Sequence, residues 1–291
     1  MTERQLIRSA FAALLLLCAP GVVRAQQPFP TDDADVTPRG KFHFETFNEH
    51  DWLQTSQIPH LRQNTFNMKL NFGLGTGLEL DLDAPLISIV NDTTVRPRVP
   101  FGLGDTNMGV KWNVREEHEN SRAPALALVN YVELPTGDST TNLGSGLVDV
   151  WVYGVVQKML APNVVLHLNG GWLFHGNTST GVVGITTARG HVATMGGSIV
   201  EKVNEKVTLG ADVTAAMTRN AFLGRNQVQV MLGGNYGLRD NFSIDAGIIA
   251  GHFDASPRFG VQLGFSWDIK TEPGASTGSR STTVTASRKH P

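Results

Sequence analysis

Apolar and polar residues alternate along most of the chain, and this alternation indicates β-strands. In RFGVQLGFSWDIK, at positions 258–270, the apolar side chains fall at every second residue from Phe259 to Ile269. Strict alternation places the two sets on opposite faces of a strand. A secreted β protein would bury the apolar face, whereas a transmembrane barrel would turn it toward lipid.

Segments of this kind recur about twelve times, each bounded by Gly, Pro, Asn or Asp. They begin near Gly40, Leu61, Gly77, Asp105, Pro124, Leu147, Asn163, Arg189, Lys206, Gln227, Asn241 and Pro257. Tight connections (LGTG, APN, NE, RD) alternate with longer loops, although REEHENSR at 115–122 is long and charged where a short turn is expected. The pattern predicts an all-β fold: an antiparallel transmembrane barrel of about twelve strands with short periplasmic turns and longer extracellular loops.

Aromatic residues provide a second indication of a membrane barrel, because they collect at strand ends where the two membrane interfaces lie. The residues expected in these girdles are Trp52, Trp112, Trp151, Trp172, Trp267, Tyr131 and Tyr236. Two regions do not separate into faces. PALALVNYVEL is apolar on both faces, and Asp149 shares a face with Trp151, which places a charged and an aromatic residue on the same side of the strand.

The first 25 residues have the features of a cleaved secretory signal peptide. Arg4 and Arg8 precede a short apolar run, and Val23 and Ala25 form a small-residue cleavage site, so the mature chain is expected to begin near Gln26. Cys18, the only cysteine, would leave with the signal, which excludes a disulfide scaffold or a thiol enzyme. The localisation predicted is the outer membrane of a Gram-negative cell.

Four segments follow from these boundaries. We expect a signal peptide at 1–25, an Asp- and Pro-rich periplasmic lead-in at 26–39, the barrel at 40–270 and a disordered tail at 271–291 that is rich in Ser, Thr and Gly. No later stretch is apolar enough for a transmembrane helix. A net charge of −2 argues against a nucleic-acid partner.

The polar face of the strands would line the lumen of such a barrel. The candidates for this lining are Lys69, Glu79, Asp81, Asp83, Lys111, His167, Asp212, Asp245, Arg258 and Asp268. Two interpretations are open. The lining can pass small polar solutes with a mild preference for cations, because carboxylate rings favour positive charge, or its bases can pair with its acids across a narrow lumen.

Asp32, Asp33 and Asp35 stand together between prolines in the lead-in. This segment would fold into the lumen as a plug, bind a divalent cation through its carboxylates, or remain solvated in the periplasm. The sequence favours the solvated lead-in.

No motif indicates an enzyme, a cofactor or a metal site. GLGTG and GLGD do not open a helix after a strand, and His118 has no second histidine four residues later. His191 and Ser198 share one strand but fall on opposite faces. Cross-strand pairs of serine and histidine stay open, and an outer-membrane lipid-modifying enzyme is the least favoured alternative.

Four stretches together resemble the meta-pathway phenol-degradation family of outer-membrane transporters: PFPTDDADVTPRGKFHFE, FGLGDTNMGVKWNV, VELPTGD and NLGSGLVDVWV. The resemblance runs from about Pro28 to Ile269. It implies a Gram-negative outer-membrane barrel associated with aromatic degradation and with the uptake of hydrophobic compounds. It supplies no catalytic residues, and the chain continues past its last strand, unlike the usual barrel ending.

Taken together, the residues and the resemblance predict a passive outer-membrane channel or transporter for small molecules, aromatic or hydrophobic compounds among them. The partners expected are outer-membrane lipid and lipopolysaccharide, the barrel-assembly machinery and small solutes. A structural or adhesive barrel whose long loops bind partners is the alternative.

Overall fold

Alternating segments form thirteen β-strands in the computed structural model, which describes residues 28–118, 121–174, 190–218 and 227–269. The signal peptide and the tail expected at the two ends lie outside these residues. The strands are β1 (Phe42–Trp52), β2 (His60–Gly75), β3 (Leu78–Asn91), β4 (Phe101–Leu103), β5 (Thr106–Arg115), β6 (Ala125–Leu134), β7 (Asp149–Ala161), β8 (Val164–Phe174), β9 (His191–Lys202), β10 (Val207–Met217), β11 (Gln227–Arg239), β12 (Phe242–His252) and β13 (Phe259–Ile269). In the described part of the chain, no helix is long and apolar enough to cross a membrane.

The sheet closes on itself into a barrel. Each strand pairs antiparallel with its neighbour, and β1 pairs with β13 from Phe42 opposite Ile269 to Trp52 opposite Phe259. The short β4 and the longer β5 pair with successive parts of β3, so they are two pieces of one interrupted strand. The closed sheet therefore has twelve strand positions, and the predicted antiparallel barrel is confirmed.

The two faces of the barrel follow the alternation of the sequence. On β3, Leu78, Leu80 and Leu82 are exposed, while Glu79 and Asp81 are buried. Every neighbouring strand repeats this arrangement of large apolar side chains outside, which in water would carry a high cost and in lipid is favourable. The outer surface is therefore the membrane-facing one.

Connections differ in length at the two ends, as predicted. Tight turns join β2 to β3, β7 to β8, β9 to β10 and β11 to β12, and Gly77 with a φ of +72° makes the first of them possible. Longer loops join β3 to β5 and β6 to β7 at the other end. The charged connector between β5 and β6 is held at the periplasmic end, where Glu117 accepts a hydrogen bond from the Met159 backbone N–H at 2.9 Å.

Aromatic residues form the expected outer girdles only in part. Trp112, Trp172, Trp267 and Tyr236 are exposed toward strand ends. The expectation for two others is wrong, because their side chains turn inward. The indole N–H of Trp151 donates to Thr194 Oγ1 at 2.9 Å, and the hydroxyl of Tyr131 donates to Asp81 Oδ2 at 2.8 Å.

These inward aromatics resolve the ambiguous faces of β6 and β7. Ala125, Ala127, Val129 and Tyr131 are buried on β6, and Tyr153 and Val155 are buried on β7. They form an apolar cluster inside the barrel around Ala34, a residue that precedes the first strand. Odd-numbered positions therefore face the lumen on both strands, Asp149 included.

Candidate functional site

Residues 28–39 lie inside the barrel, and we call them the lumenal segment. The expectation of a solvated periplasmic lead-in is wrong for this part of the chain. The segment begins beside the centres of β9 to β11 and ends at the periplasmic rim, where the Gly40 N–H donates to the Gly73 carbonyl at 2.8 Å. Its apolar residues Phe29 and Ala34 are buried in clusters with inward side chains of the barrel wall.

Lys111 anchors the lumenal segment by charge. Its ammonium nitrogen lies 2.9 Å from Asp32 Oδ1 and 2.9 Å from Asp33 Oδ1, and the Tyr153 hydroxyl donates to Asp32 Oδ2 at 2.9 Å. Burial alone raises the pKa of the Asp32 carboxyl, but the charges of Lys111 and Lys69 and the hydrogen bonds from Lys111 and Tyr153 hold this pKa below its ordinary value. Asp32 is therefore an ionised partner of Lys111.

Polar side chains of the wall also bind the backbone of the lumenal segment. The Thr31 N–H donates to Asp212 Oδ2 at 3.1 Å, and the Ala34 N–H donates to Gln157 Oε1 at 2.9 Å. Asn113 donates its side-chain N–H to the Ala34 carbonyl at 2.6 Å, and Glu79 accepts from the Thr37 N–H. Hydrogen bonds of this kind satisfy backbone groups that would otherwise be buried without partners.

Inward glycines let the lumenal segment approach the wall. A Cβ atom at Gly196 would lie 2.6 Å from Thr31 Oγ1, one at Gly210 would lie 2.8 Å from the Phe29 ring, and one at Gly233 would lie 2.8 Å from Pro28. Gly210 and Gly233 face each other on β10 and β11, and Gly196 lies on the inner face of β9, opposite Thr214. Their alignment on the inner face is a signal in the sequence that could have pointed to a chain segment packed against this wall.

A cavity of about 260 Å³ lies on the extracellular side of the lumenal segment. Pro28 to Thr31 of the segment form part of its lining. Its other walls include the aromatic residues Phe47, Trp151 and Tyr153 and the polar residues Glu49, Thr65, Asn169, Thr194, Thr214, Gln227, Gln229 and Gln262. The cavity thus offers ring faces and hydrogen-bonding groups to a small molecule.

The remaining predicted lining residues fall into three groups. Lys69 lies among the carboxylates of Glu45, Asp81, Asp83 and Asp32 inside the barrel. Asp245 and Asp212 are buried on the inner face. Arg258 differs from the rest, because it precedes β13 and its side chain is exposed.

Pairing of bases with wall acids, one of the two open interpretations, describes the surroundings of Lys69 but not those of Lys111. Lys111 binds the lumenal segment rather than Glu79, Asp81 or Asp245. Asp268 Oδ1 lies 2.7 Å from Nδ1 of His43, whose Nε2 lies 2.9 Å from Glu45 Oε1. His43 and Glu45 were not among the predicted lining residues, although they share the inward parity of β1.

Asp32, Asp33 and Asp35 do not form a cation site in the described structure. Across residues 28–118, 121–174, 190–218 and 227–269, no group of three or more potential ligands that could hold a metal ion occurs. The Lys111 ammonium supplies the positive charge next to Asp32 and Asp33. The Asp33 carboxylate also accepts the N–H of Asp35 at 3.0 Å, which is a turn contact within the segment.

One cross-strand pair of histidine and serine exists in the lumen. His167 Nδ1 lies 3.1 Å from Ser198 Oγ, and both side chains are buried. Nucleophilic catalysis requires a serine that a substrate can reach. In the described structure both partners are buried in the barrel wall, with Ser198 2% exposed.

The fold and its lumen define a class, that of outer-membrane β-barrels with an occupied pore. Within that class, residues 30–269 match the family described as "Putative MetA-pathway of phenol degradation", and the chain belongs to that family. The resemblance found in the sequence is therefore confirmed. Among curated proteins, none matches the chain.

Solved structures with a similar fold include channels and porins. An outer-membrane channel from Pseudomonas putida F1 has a TM-score of 0.62 at 14% identity, covering 81% of this chain and 98% of that one. The NanC porin has a TM-score of 0.52 at 8% identity, covering 78% and 100% of the two chains. The KdgM porin has a TM-score of 0.51 at 8% identity, covering 78% and 99%. At such low identities the likeness establishes the barrel fold.

Proposed function

We propose that this protein is a passive outer-membrane channel for small organic molecules and that the lumenal segment is its plug. The family description and the channels and porins that share the fold support transport rather than adhesion or catalysis. The inward face of the barrel is polar and the outward face apolar, as conduction through a membrane requires.

The observation that carries this proposal is the cavity above the lumenal segment. An engineered cavity of about 150 Å³ is enough to bind benzene, so about 260 Å³ holds one substituted aromatic ring. Phe47, Trp151 and Tyr153 offer ring contacts, and the surrounding amides and hydroxyls offer hydrogen bonds to a substituent. A small aromatic compound with a polar group fits this lining and agrees with the family description.

Passage beyond the cavity requires the lumenal segment to move. The segment occupies the lumen from the centres of β9 to β11 to the periplasmic rim, and apart from the chain that leads into β1 only hydrogen bonds, ion pairs and apolar contacts hold it to the wall. Its displacement would open a continuous path along the lumen, while the pairing of the barrel strands stays intact. Solutes would thus cross down their gradient each time the plug leaves its site.

A reversible crosslink tests this movement. An ideal Cβ atom at Gly196 lies 3.6 Å from Thr31 Cβ, which is within the range of roughly 3.5–4.5 Å found in disulfides. The double variant Thr31→Cys/Gly196→Cys should therefore form a disulfide that locks the plug to β9. Uptake of phenol into proteoliposomes is measured before and after reduction of this disulfide.

We expect uptake to fall to the background of empty liposomes in the oxidised double variant and to return on reduction. The single variant Thr31→Cys, treated in the same way, controls for oxidation itself. If the locked protein transported phenol at the unlocked rate, the plug would not obstruct the route and the proposal would fail.

Export is part of the same proposal. We infer that residues 1–25 are removed and that the mature chain begins at Gln26, because the charged, apolar and small-residue regions of a signal peptide follow one another there. The intact mass of the protein isolated from outer membranes would give its first residue. A mass that includes Cys18 would contradict this inference.

A further inference from the structure

Two acidic residues of β1 form a pair in the extracellular half of the lumen. Glu49 and Asp51 lie two residues apart on the inward face of β1, so their carboxyl groups are neighbours on that face. Asp51 is 1% exposed. Apart from Glu49, no described group donates a hydrogen bond to either oxygen of Asp51. Two buried carboxyl groups in contact repel each other when both are ionised, and a cation relieves that repulsion.

The strands on both sides provide no such cation. Asp51 lies opposite Gln63 on β2 and Gly260 on β13. The cross-strand neighbours of Glu49 are Thr65 and Gln262, which are neutral. Several other acids of the lumen do have bases: Lys111 pairs with Asp32 and Asp33, and His43 with Glu45 and Asp268. In the described part of the chain, the Glu49 and Asp51 pair has no basic side chain in ion-pair contact.

One member of the pair, Glu49, lines the cavity above the plug, and Asp51 lies behind it on the same strand. Glu49 is part of the cavity wall, beside Phe47 on the same strand, and Trp151 and Tyr153 also line this space. Both of these rings are held in place, Trp151 by its bond to Thr194 and Tyr153 by its bond to Asp32. An ammonium group is attracted both to carboxylates and to the faces of aromatic rings.

Two further details of this region fit a ligand-binding site. A Cβ atom at position 260 would lie 2.4 Å from Asp51 Oδ1, so the glycine makes room for the carboxylate. Gln227 also lines the cavity and is buried, and its side-chain Nε2 has no hydrogen-bond partner among the described residues. A ligand with an acceptor group would satisfy this donor.

We propose that the cavity binds small organic cations, with a protonated amine at Glu49 and Asp51 and an apolar ring between Phe47, Trp151 and Tyr153. This inference rests on the proposed function, because it names the class of solute that binds in the cavity during transport. The cavity then discriminates by charge: it favours aromatic amines, accepts neutral aromatic alcohols more weakly and rejects aromatic carboxylates.

Calorimetric titration of the folded full-length protein in detergent tests this selectivity. The probes are benzylamine, benzyl alcohol and sodium benzoate, which share a ring and differ in charge. We expect benzylamine to bind at least about tenfold more tightly than benzyl alcohol, since a buried ion pair contributes more than a neutral contact. Benzoate should give no measurable heat of binding.

Variants connect the binding to the acid pair. Glu49→Gln and Asp51→Asn should each weaken benzylamine binding by about tenfold or more while changing benzyl alcohol binding by less than about twofold. Asp245→Asn is the matched control, because Asp245 is another buried carboxyl of the lumen that does not line the cavity. Heat-dependent gel migration of each variant verifies that the barrel has folded.

Three results would overturn the inference. One is equal affinity for benzylamine and benzyl alcohol that Glu49→Gln leaves unchanged. Another is displacement of benzylamine by calcium chloride that itself binds the wild type and not Glu49→Gln, which would indicate an inorganic cation site. The third is no binding of any probe. Phenol uptake controlled by the Thr31–Gly196 crosslink would remain in all three cases, so these failures differ from failure of the proposed function.

Discussion

Among single residues, Lys111 is the one that binds the lumenal segment by charge. It is 1% exposed and neutralises both Asp32 and Asp33. Lys111→Met keeps the volume but leaves two buried carboxylates without a counter-charge. Loss of one partner from a buried pair costs about 3–5 kcal/mol, so we expect the plug to undock and the conductance of planar bilayers to rise.

Lys158→Met serves as the control for loss of a positive charge. Lys158 pairs with Glu117 at the periplasmic end of the barrel and is 28% exposed, and pairs of this kind contribute roughly 0–1 kcal/mol. We expect its conductance to match the wild type. Equal conductance in the two variants and the wild type would mean that charge does not hold the plug.

Asp32 gives this docking a defined pH dependence. The pKa of its carboxyl is lowered in the docked state, so ionised Asp32 stabilises docking above its ordinary pKa, and this contribution is lost as the pH falls through the docked value. We expect the difference in closed fraction between wild type and Asp32→Asn to stay constant from neutral pH down to about pH 5 and to shrink below about pH 4. Bilayer conductance across this pH series would measure it, and a difference that changes above pH 5 would contradict the assignment.

The sequence predicted which strand face the lumenal residues occupy, but not which residues they contact. Alternation placed Lys111, Asp81 and His167 on the inner face, where the structure has them. It could not identify the partners of Lys111, because they belong to a segment without strand periodicity. Parity along a strand specifies a face, whereas the contents of the lumen depend on contacts between distant parts of the chain.

At the scale of elements, the fit between the plug and the strands depends on close backbone approach. Gly73 on β2 packs against the end of the lumenal segment, and a Cβ atom there would lie 2.2 Å from the Pro38 carbonyl oxygen. Gly73→Ala should therefore push the base of the plug away from β2. We expect increased conductance and faster protease cleavage within residues 28–39, with the barrel still folded on gels.

Gly154→Ala is the matched control on another strand of the same barrel. A Cβ atom at Gly154 would meet nothing within 4 Å. The added methyl group faces the lipid side of β7 and does not approach the plug. Conductance like that of the wild type is expected, and equal effects of the two substitutions would show that strand propensity rather than contact with the plug is responsible.

Strand positions were predictable because turn residues and periodicity agree along the chain. β3, β8 and β11 begin within a residue of the predicted starts at Gly77, Asn163 and Gln227. The faces of β6 and β7 were not predictable, because Tyr131, Trp151 and Tyr153 are apolar in most of their surface and yet point inward. These rings pack against Ala34 of the plug, so the lumen at this point has its own apolar core.

At the scale of the whole molecule, the surrounding lipid contributes to stability, because the large apolar side chains of the outer face lie in it. Leu263 is 66% exposed midway along β13, where the membrane is most apolar. Leu263→Arg should cost about 2–4 kcal/mol, whereas Leu238→Arg near the end of β11 should cost about 0–1 kcal/mol. Urea titration of folding in lipid vesicles, followed by gel migration, measures both costs, and equal costs would place the midplane elsewhere.

Closure of the barrel was predictable from the number of strands, and occupancy of its interior was not. An even count of alternating strands with the first and last elements on one side implies that β1 meets β13, and the structure has this pairing. The volume enclosed by these strands is set by the whole ring. The sequence therefore indicated a pore, while folding of the chain before β1 determined that the pore is occupied.

The way in which the wall holds the plug also sets which sequences the plug can have. Thr31, Ala34 and Thr37 are bound through their backbone N–H groups, whereas Pro28, Pro30 and Pro38 occupy neighbouring positions where no N–H is needed. None of the three donor positions can therefore accept proline, and because the side chains of Thr31 and Ala34 are buried against the wall, larger residues there are excluded as well. The order of prolines and hydrogen-bond donors along the segment is therefore constrained together with the size and charge of its buried side chains.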